Sequence, residues 1–255
     1  MIKMNYRNND ISSKNMLNIT RDHLAKLELI KQKFLWKTCL PEPDKWKGLC
    51  NNEIWLKVIE QVILVGSSSP ANKFKESDQL KQKVSYDKLL KIKDDENQLK
   101  KVIHEVLRAV KTRYASASIE KCRKTKALVH NFKILSEYKD GPIVFLEEIS
   151  KLSTDKEKIK YVMSKFKYIK NKGARDFLMD LGLVHDAIAL DVRLQNVLKK
   201  IGINIPEGIK SNPKLYDMVE EELLSKVCKL LNLSGVEFDK MIYQNYKDVM
   251  EINFD

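Results

Sequence analysis

The chain has 255 residues, of which 43% are hydrophobic and 32% charged, so we expect a folded core and exclude an intrinsically disordered protein. Its net charge of +12 favours a polyanionic partner, although a general richness in lysine would give the same excess. No apolar run reaches the roughly 18 residues of a membrane span, and the first twenty residues lack the apolar segment of a signal peptide. We therefore expect a cytoplasmic protein, nucleoid-associated in a prokaryote, without a membrane partner.

Cysteine and histidine spacing does not indicate a metal site. Cys39, Cys50, Cys122 and Cys228 form no Cys-x-x-Cys pair, which disfavours structural zinc and iron–sulfur clusters. The four histidines are scattered and match no zinc-enzyme pattern. We expect reduced, mostly buried thiols and no metal.

The apolar residues recur at helical spacing along the whole chain. Glycine and proline are scarce and no long segment alternates apolar and polar residues, so the sequence predicts an all-α protein. Thr20 is a candidate N-cap for the first helix, and Ser153, Thr154 and Asp155 form a capping segment before a later one. The predicted helices cover residues 20–39, 54–63, 71–82, 97–111, 117–137, 143–150, 156–167, 172–182, 191–200, 215–230 and a last segment from about 234.

Lys172 and Asp191 stand out from the many charged residues by their positions. Lys172 opens a predicted helix, and Asp191 begins the next helix nineteen residues later, where it could also cap that helix. A lysine amine acts as a nucleophile only when it is neutral, and its ordinary pKa lies near 10.4. We expect the helix dipole, together with Lys170, Arg175 and Arg193, to lower the pKa of Lys172.

Ten positions in this segment match, in order, the pattern of a known family: Lys172, Ala174, Phe177, Leu178, Leu181, Gly182, Leu190, Asp191, Val192 and Arg193. They resemble the helix-hairpin-helix DNA glycosylase superfamily and look most like its 8-oxoguanine DNA glycosylase/lyases. A weaker similarity extends to the segment from Trp55 to Ala71 and to the Arg113-Tyr114 pair. The likeness is strongest over about residues 159–198.

The resemblance implies two helical lobes, with the helix-hairpin-helix motif at the cleft between them. Residues 51–185 would form a helical barrel lobe that ends in the motif, at about residues 156–182. Residues 1–50 and 186–255 would together form the second lobe. It also implies a monomer that acts on double-stranded DNA containing a damaged base, with no cofactor because the lysine supplies the reactive group.

Roles for single residues follow from the same resemblance. Lys172 would be the Schiff-base nucleophile, Asp191 the catalytic carboxylate and Arg193 a phosphate contact. The hairpin turn would bind another phosphate through its backbone, and its residues are Tyr168, Ile169, Lys170, Asn171 and Gly173. A polar loop would fill the gap left by the flipped base, and its residues are Ser67, Ser68, Ser69 and Asn72. The base pocket and its stacking face would use Asp176, Phe238 and Tyr243.

The hairpin departs from the family pattern at two positions. The family has Gly-hydrophobic-Gly before the lysine, whereas this chain has Tyr168, Ile169 and Lys170. Loss of both glycines is expected to strain the turn, and Asn171 could compensate by taking a left-handed conformation. Asp176 is an unusual pocket residue and could change the base preference. The cysteines of the iron–sulfur branch are absent.

These observations predict a bifunctional glycosylase/lyase that excises oxidised purine, 8-oxoguanine, through a Lys172 imine followed by β-elimination. A first alternative is a non-catalytic module of the same fold that binds DNA or structured RNA. A second is a glycosylase for another damaged base, alkylated or deaminated. Several such relatives use aspartate with water and lack the lysine, so the presence of Lys172 counts against the second alternative.

Overall fold

The computed structural model describes residues 16–254, and this part of the chain contains helices and turns but no β-strand. The predicted all-α class is confirmed. The helices are α1 Arg21–Phe34, α2 Asn51–Leu64, α3 Ser69–Glu76, α4 Asp78–Lys83, α5 Tyr86–Leu90, α6 Glu96–Ala109, α7 Arg123–Ser136, α8 Pro142–Ser150, α9 Asp155–Lys165, α10 Asn171–Asp180, α11 Val192–Ile201, α12 Pro213–Leu223, α13 Gly235–Gln244 and α14 Tyr246–Glu251. None of these helices is long and apolar enough to cross a membrane.

Helix boundaries differ from the prediction where a local cap interrupts the apolar pattern. The segment predicted over 71–82 is two helices, because Ser77 adopts an extended conformation and its side chain accepts a hydrogen bond from the Leu80 N–H. The first helix begins after its predicted cap, Thr20, and changes to a 3-10 turn at Leu35. The helix predicted from 117 begins at Arg123, after a 3-10 turn.

Two hydrophobic cores organise the described residues. The first is built by α2 to α10, and its aromatic centre includes Trp55 against Phe132, with ring centroids 5.3 Å apart. The second joins α1 to α11, α12, α13 and α14. The N-terminal helix thus packs with the last third of the chain. The division into residues 51–185 and the remainder stays a prediction, and residues 1–15 of it lie outside the described part.

A segment without helix, residues 185–191, lies between α10 and α11 and contributes to both cores. We call it the linking segment. Ala187 and Ala189 belong to the first core, whereas Ile188 and Leu190 belong to the second. Successive side chains from Ala187 to Leu190 thus alternate between the two cores, so one short segment contributes to both. The linking segment ends at Asp191, so contacts with both cores fix the position of Asp191.

Candidate active site

A tight turn joins α9 to α10 and gives the predicted helix-hairpin-helix. The predicted capping segment before α9 is confirmed at Thr154, which also forms a capping box with Glu157. The amide of Asn131, on α7, fixes the turn from outside: it donates to the Lys167 carbonyl at 3.0 Å and accepts from the Lys167 N–H at 2.8 Å. Asn131 was missed in the sequence because its partner is distant along the chain.

The residue in the left-handed conformation is Tyr168, with φ of 67°, and not Asn171, which begins α10 as a helical residue. The prediction that Asn171 compensates for the missing glycines is therefore wrong. The ring of Tyr168 packs against the first core, and this contact offsets the cost of a left-handed tyrosine. The side chain of Ile169 is buried in the same core, so only its backbone can reach a ligand.

The predicted end of α10 is confirmed at Gly182. The N–H of Gly182 donates to the Met179 carbonyl, and the N–H of Leu183 donates to the Leu178 carbonyl, both at 3.0 Å. With φ of 67° at Gly182, this is a Schellman motif. The motif stops the helix after Leu181 and directs the chain into the linking segment.

Lys172 lies in the first turn of α10, and its ammonium is in direct contact with the carboxylate of Asp176, one turn along the same face. The Lys172 side chain is 45% exposed and that of Asp176 16%. Burial acts to lower the pKa of Lys172, but the contact with Asp176 and the charges of Asp191 and Asp239 outweigh it and raise the pKa. The predicted lowering of this pKa is therefore wrong for the resting protein.

Arg175 does not supply the positive potential that the sequence analysis assigned to it. Its side chain is 1% exposed, and its guanidinium pairs with both oxygens of Glu220 and with Asp217 at 3.0 Å. The same group lies 4.3 Å from the ring centroid of Tyr216 and donates to the Asn171 carbonyl. Its charge is thus neutralised within a buried network that connects α10 to α12.

The linking segment is held by side chains of α9, α12 and α13. The N–H groups of Ile188, Ala189 and Leu190 donate to Glu220 at 2.8 Å, Asp239 at 2.9 Å and the Tyr216 hydroxyl at 2.7 Å, respectively. At its start, Asp155 of α9 accepts from the N–H groups of His185 and Asp186. Gly235 approaches so closely that an added Cβ would lie 2.7 Å from the Ala187 nitrogen. Acidic residues within the apolar stripes of α12 and α13 were the sequence signal for this network.

Asp191 is the N-cap of α11, as predicted, and its side chain accepts from the Leu194 N–H at 2.9 Å. Its charge acts on Lys172 and helps to raise the pKa of that amine. No hydrogen bond within residues 16–254 joins the two side chains. The structure therefore brings the predicted pair into one electrostatic environment, and Asp176 is the carboxylate in contact with the amine.

Arg193 lies two residues beyond Asp191 and stacks on an aromatic side chain. Its guanidinium is 4.5 Å from the ring centroid of Tyr243 and 6.0 Å from that of Tyr246. Tyr243 is 42% exposed, so the part of its ring that Arg193 does not cover is accessible to a ligand. Phe238 is 0% exposed because it faces the second core, and the prediction of Phe238 as an open stacking face is wrong.

The predicted polar loop follows α2 and is exposed. Ser67 and Ser68 precede α3, which begins at Ser69, and Asn72 lies on its first turn. The ammonium of buried Lys124 donates to the carbonyls of Ile63 at 3.2 Å and Val65 at 2.8 Å. The end of α2 that carries the loop is thus fixed from α7. Across the described ranges, no group of three or more His, Cys, Asp or Glu could hold a metal ion.

The fold is that of the 8-oxoguanine DNA glycosylases. The chain is similar to the 8-oxoguanine DNA glycosylase of Methanocaldococcus jannaschii, with a TM-score of 0.61 and 15% identity over 90% of this chain and 94% of the other. It is also similar to the 8-oxoguanine DNA glycosylase of Thermotoga maritima, with a TM-score of 0.59 and 22% identity over 86% of this chain and 93% of the other. A third similar structure is an M. jannaschii 8-oxoguanine glycosylase/lyase in complex with 15mer DNA containing 8-oxoguanine. Its TM-score is 0.58, with 15% identity over 88% of this chain and 97% of the other.

These comparisons confirm the resemblance at the level of the fold. No protein-family model and no curated protein matches the sequence.

Proposed function

We propose that this protein is a DNA glycosylase with lyase activity that removes an oxidised purine, 8-oxoguanine, from double-stranded DNA. The main support is Lys172 in the first turn of the hairpin's second helix, with Asp191 at the start of the next helix. The similar solved structures described above are of 8-oxoguanine DNA glycosylases, and one of them is a complex with DNA containing that base. The net charge of +12 suits a duplex ligand.

In the proposed reaction the damaged nucleotide leaves the duplex, because its glycosidic bond is out of reach within the stack. The neutral Lys172 amine attacks C1′ of the sugar, and the bond between C1′ and the base breaks. Asp191 stabilises the positive charge that develops on the sugar. The C1′–O4′ bond of the resulting aminal then breaks as a proton passes from nitrogen to O4′, and the imine formed in this way loses the 3′ phosphate by β-elimination, which cuts the strand.

Three surfaces would hold the DNA. The backbone of the hairpin turn, from Tyr168 through Lys170 to Gly173, would donate to one phosphate, and Arg193 would contact another. The exposed Ser67 to Asn72 loop would fill the space that the flipped base leaves. Asp176 would line the base pocket, and Tyr243 would offer a stacking face. We further propose that the protein acts in the cytoplasm as a monomer, without a cofactor.

Borohydride trapping tests this proposal, because borohydride reduces an imine to a stable covalent adduct. The wild-type protein is incubated with a duplex that contains one 8-oxoguanine, beside the Lys172→Gln and Asp191→Asn variants. We expect a protein–DNA adduct and a cut strand with the wild type, no adduct with Lys172→Gln, and excision slowed at least tenfold with Asp191→Asn. Equal excision by Lys172→Gln would contradict the assignment of the nucleophile.

A non-catalytic binding module is the second candidate, and the contact of Lys172 with Asp176 favours it, because a paired ammonium is not a nucleophile. Tight, salt-dependent binding without adduct or release of any base would establish that function. A glycosylase for another lesion would release alkylated or deaminated bases and leave 8-oxoguanine in place.

A further inference from the structure

The proposed nucleophile is held in its unreactive form by its own helix. The Lys172 ammonium contacts the Asp176 carboxylate directly, and the spacing of four residues places both on one face of α10. Asp191, by comparison, uses its side chain to cap α11. The proton on Lys172 therefore has an adjacent acceptor, and that acceptor is a residue to which the family resemblance assigned only a place in the base pocket.

Titratable groups on α10, α12 and α13 act on Asp176, and that of α12 is the buried Tyr216. On α10 itself are Lys172 and Asp180, and from α13 come Lys240, which pairs with Asp180 at 2.7 Å, and the buried Asp239. Asp191, at the start of α11, acts on both Lys172 and Asp239. Burial, opposed by Lys172, raises the pKa of Asp176, so this carboxylate is a stronger proton acceptor than an exposed one.

Removal of water from such a pair changes where the proton lies. An ion pair loses hydration when a ligand covers it, and the neutral amine and carboxylic acid lose much less. Lys172 is still 45% exposed, so an incoming nucleotide has water to displace there. Covering the pair therefore favours transfer of the proton from nitrogen to oxygen.

We propose that Asp176 is a further catalytic residue, which accepts the proton of Lys172 when the flipped nucleotide covers the pair and then returns that proton to the departing base. The proposal rests on the proposed glycosylase function. The proton moves from the Lys172 nitrogen to an Asp176 oxygen, the freed lone pair forms the bond to C1′, and the electrons of the glycosidic bond leave with the base. The base anion takes the proton, and Asp176 is again a carboxylate.

The test compares Asp176→Asn and Asp176→Glu with the wild type under single-turnover conditions, on an 8-oxoguanine duplex and on a duplex with an abasic site. We expect Asp176→Asn to slow both excision and borohydride trapping at the abasic site by about 10²-fold, the lower range for loss of a proton-transfer group. Its rates should rise steadily with pH, because hydroxide must then remove the lysine proton. Asp176→Glu should recover part of the rate, since it keeps the carboxylate.

Asp180→Asn is the matched control, because Asp180 lies one turn further on α10 and also pairs with a lysine, Lys240. We expect it to retain wild-type rates. The proposal is overturned if Asp176→Asn is as fast as the wild type or faster, since Asp176 would then merely keep Lys172 protonated. It is also overturned if Asp176→Asn slows excision of 8-oxoguanine but not trapping at the abasic site, because Asp176 would then act on the base alone.

Failure of the proposed function has a different signature. If wild-type protein gives neither excision nor an adduct with any substrate, the glycosylase assignment falls, and with it the role of Asp176. If the wild type traps and the Asp176 variants match it, the proposal for Asp176 falls alone. Urea unfolding of each variant separates a loss of rate from a loss of folded protein.

Discussion

Two sets of ion pairs begin three residues apart on α10, and they differ in almost every physical respect. The Arg175 network is buried, connects α10 to α12 and satisfies its guanidinium with Glu220, Asp217 and the Asn171 carbonyl. The Lys172 pair with Asp176 is local to one helix, and its ammonium, though not its carboxylate, is half exposed to solvent. A fully satisfied arginine cannot give up its proton under any ordinary condition, whereas the lysine pair can exchange its proton with little rearrangement. Two charges three residues apart on one helix thus differ in kind: that of Arg175 is enclosed in a buried network, and that of Lys172 is the one we propose to be reactive.

Removal of Arg175 is the strongest test of this contrast. Arg175→Met leaves the Glu220 carboxylate buried without its main partner, so we expect the free energy of unfolding to fall by about 3–5 kcal/mol. Urea denaturation followed by circular dichroism measures it. Arg175→Lys, which keeps a charge but not the planar donor set, should lose less. A loss under about 1 kcal/mol for Arg175→Met would show that the network does not hold the lobes.

Lys124 is a third kind of charged residue: its side chain is buried, and its ammonium donates to backbone carbonyls and pairs with no carboxylate in the described part of the chain. Burial lowers its pKa to about 8 in the folded protein, while in the unfolded chain it is near 10.4. Between these values the unfolded chain binds more protons, so stability should rise with pH. Between pH 8 and pH 10.5 we expect the free energy of unfolding of the wild type to rise by on the order of 3 kcal/mol relative to that of Lys124→Met. Urea unfolding across this range measures the difference, and a difference independent of pH would contradict the assignment.

The smallest effect on stability should come from the proposed nucleophile itself. Lys172→Gln removes an ion pair whose ammonium is 45% exposed but leaves the mostly buried Asp176 carboxylate without that partner, so we expect the free energy of unfolding to fall by about 1–2 kcal/mol. The same variant should lose all borohydride trapping. Urea unfolding of Lys172→Gln beside Arg175→Met provides the measurement, and a loss as large as that of Arg175→Met would mean that both sets of pairs are structural.

Local features of the chain were predictable from the sequence. The caps at Thr20, Thr154 and Asp191 and the end of α10 at Gly182 depend on interactions within a few residues, and the structure confirms them. The helical pattern gave the fold class for the same reason. The spacing of Lys172 and Asp176 was also visible in the sequence; the carboxylate one turn away outweighs the cations and the helix dipole, and the pKa of Lys172 therefore rises instead of falling.

Features that depend on distant contacts were not predictable. Arg175 seemed a free cation in the sequence, because its partners Glu220 and Asp217 follow more than forty residues later. Tyr168 takes the left-handed position because its ring has a core to pack against, which only the folded lobe supplies. Phe238 was predicted as a stacking face, and only the second core shows which side of α13 it occupies.

The linking segment has a consequence for how the protein tolerates change. Lys172 belongs to a helix of the first core, whereas Asp191 begins a helix of the second, and Glu220, Asp239 and Tyr216 fix the chain between them. The distance between the two groups proposed for the reaction therefore depends on how the two cores are positioned relative to each other. A side chain added at Gly235, against the Ala187 backbone, would disturb that alignment without touching either group. Substitutions far from Lys172 and Asp191 are therefore expected to abolish the proposed activity while both cores remain folded.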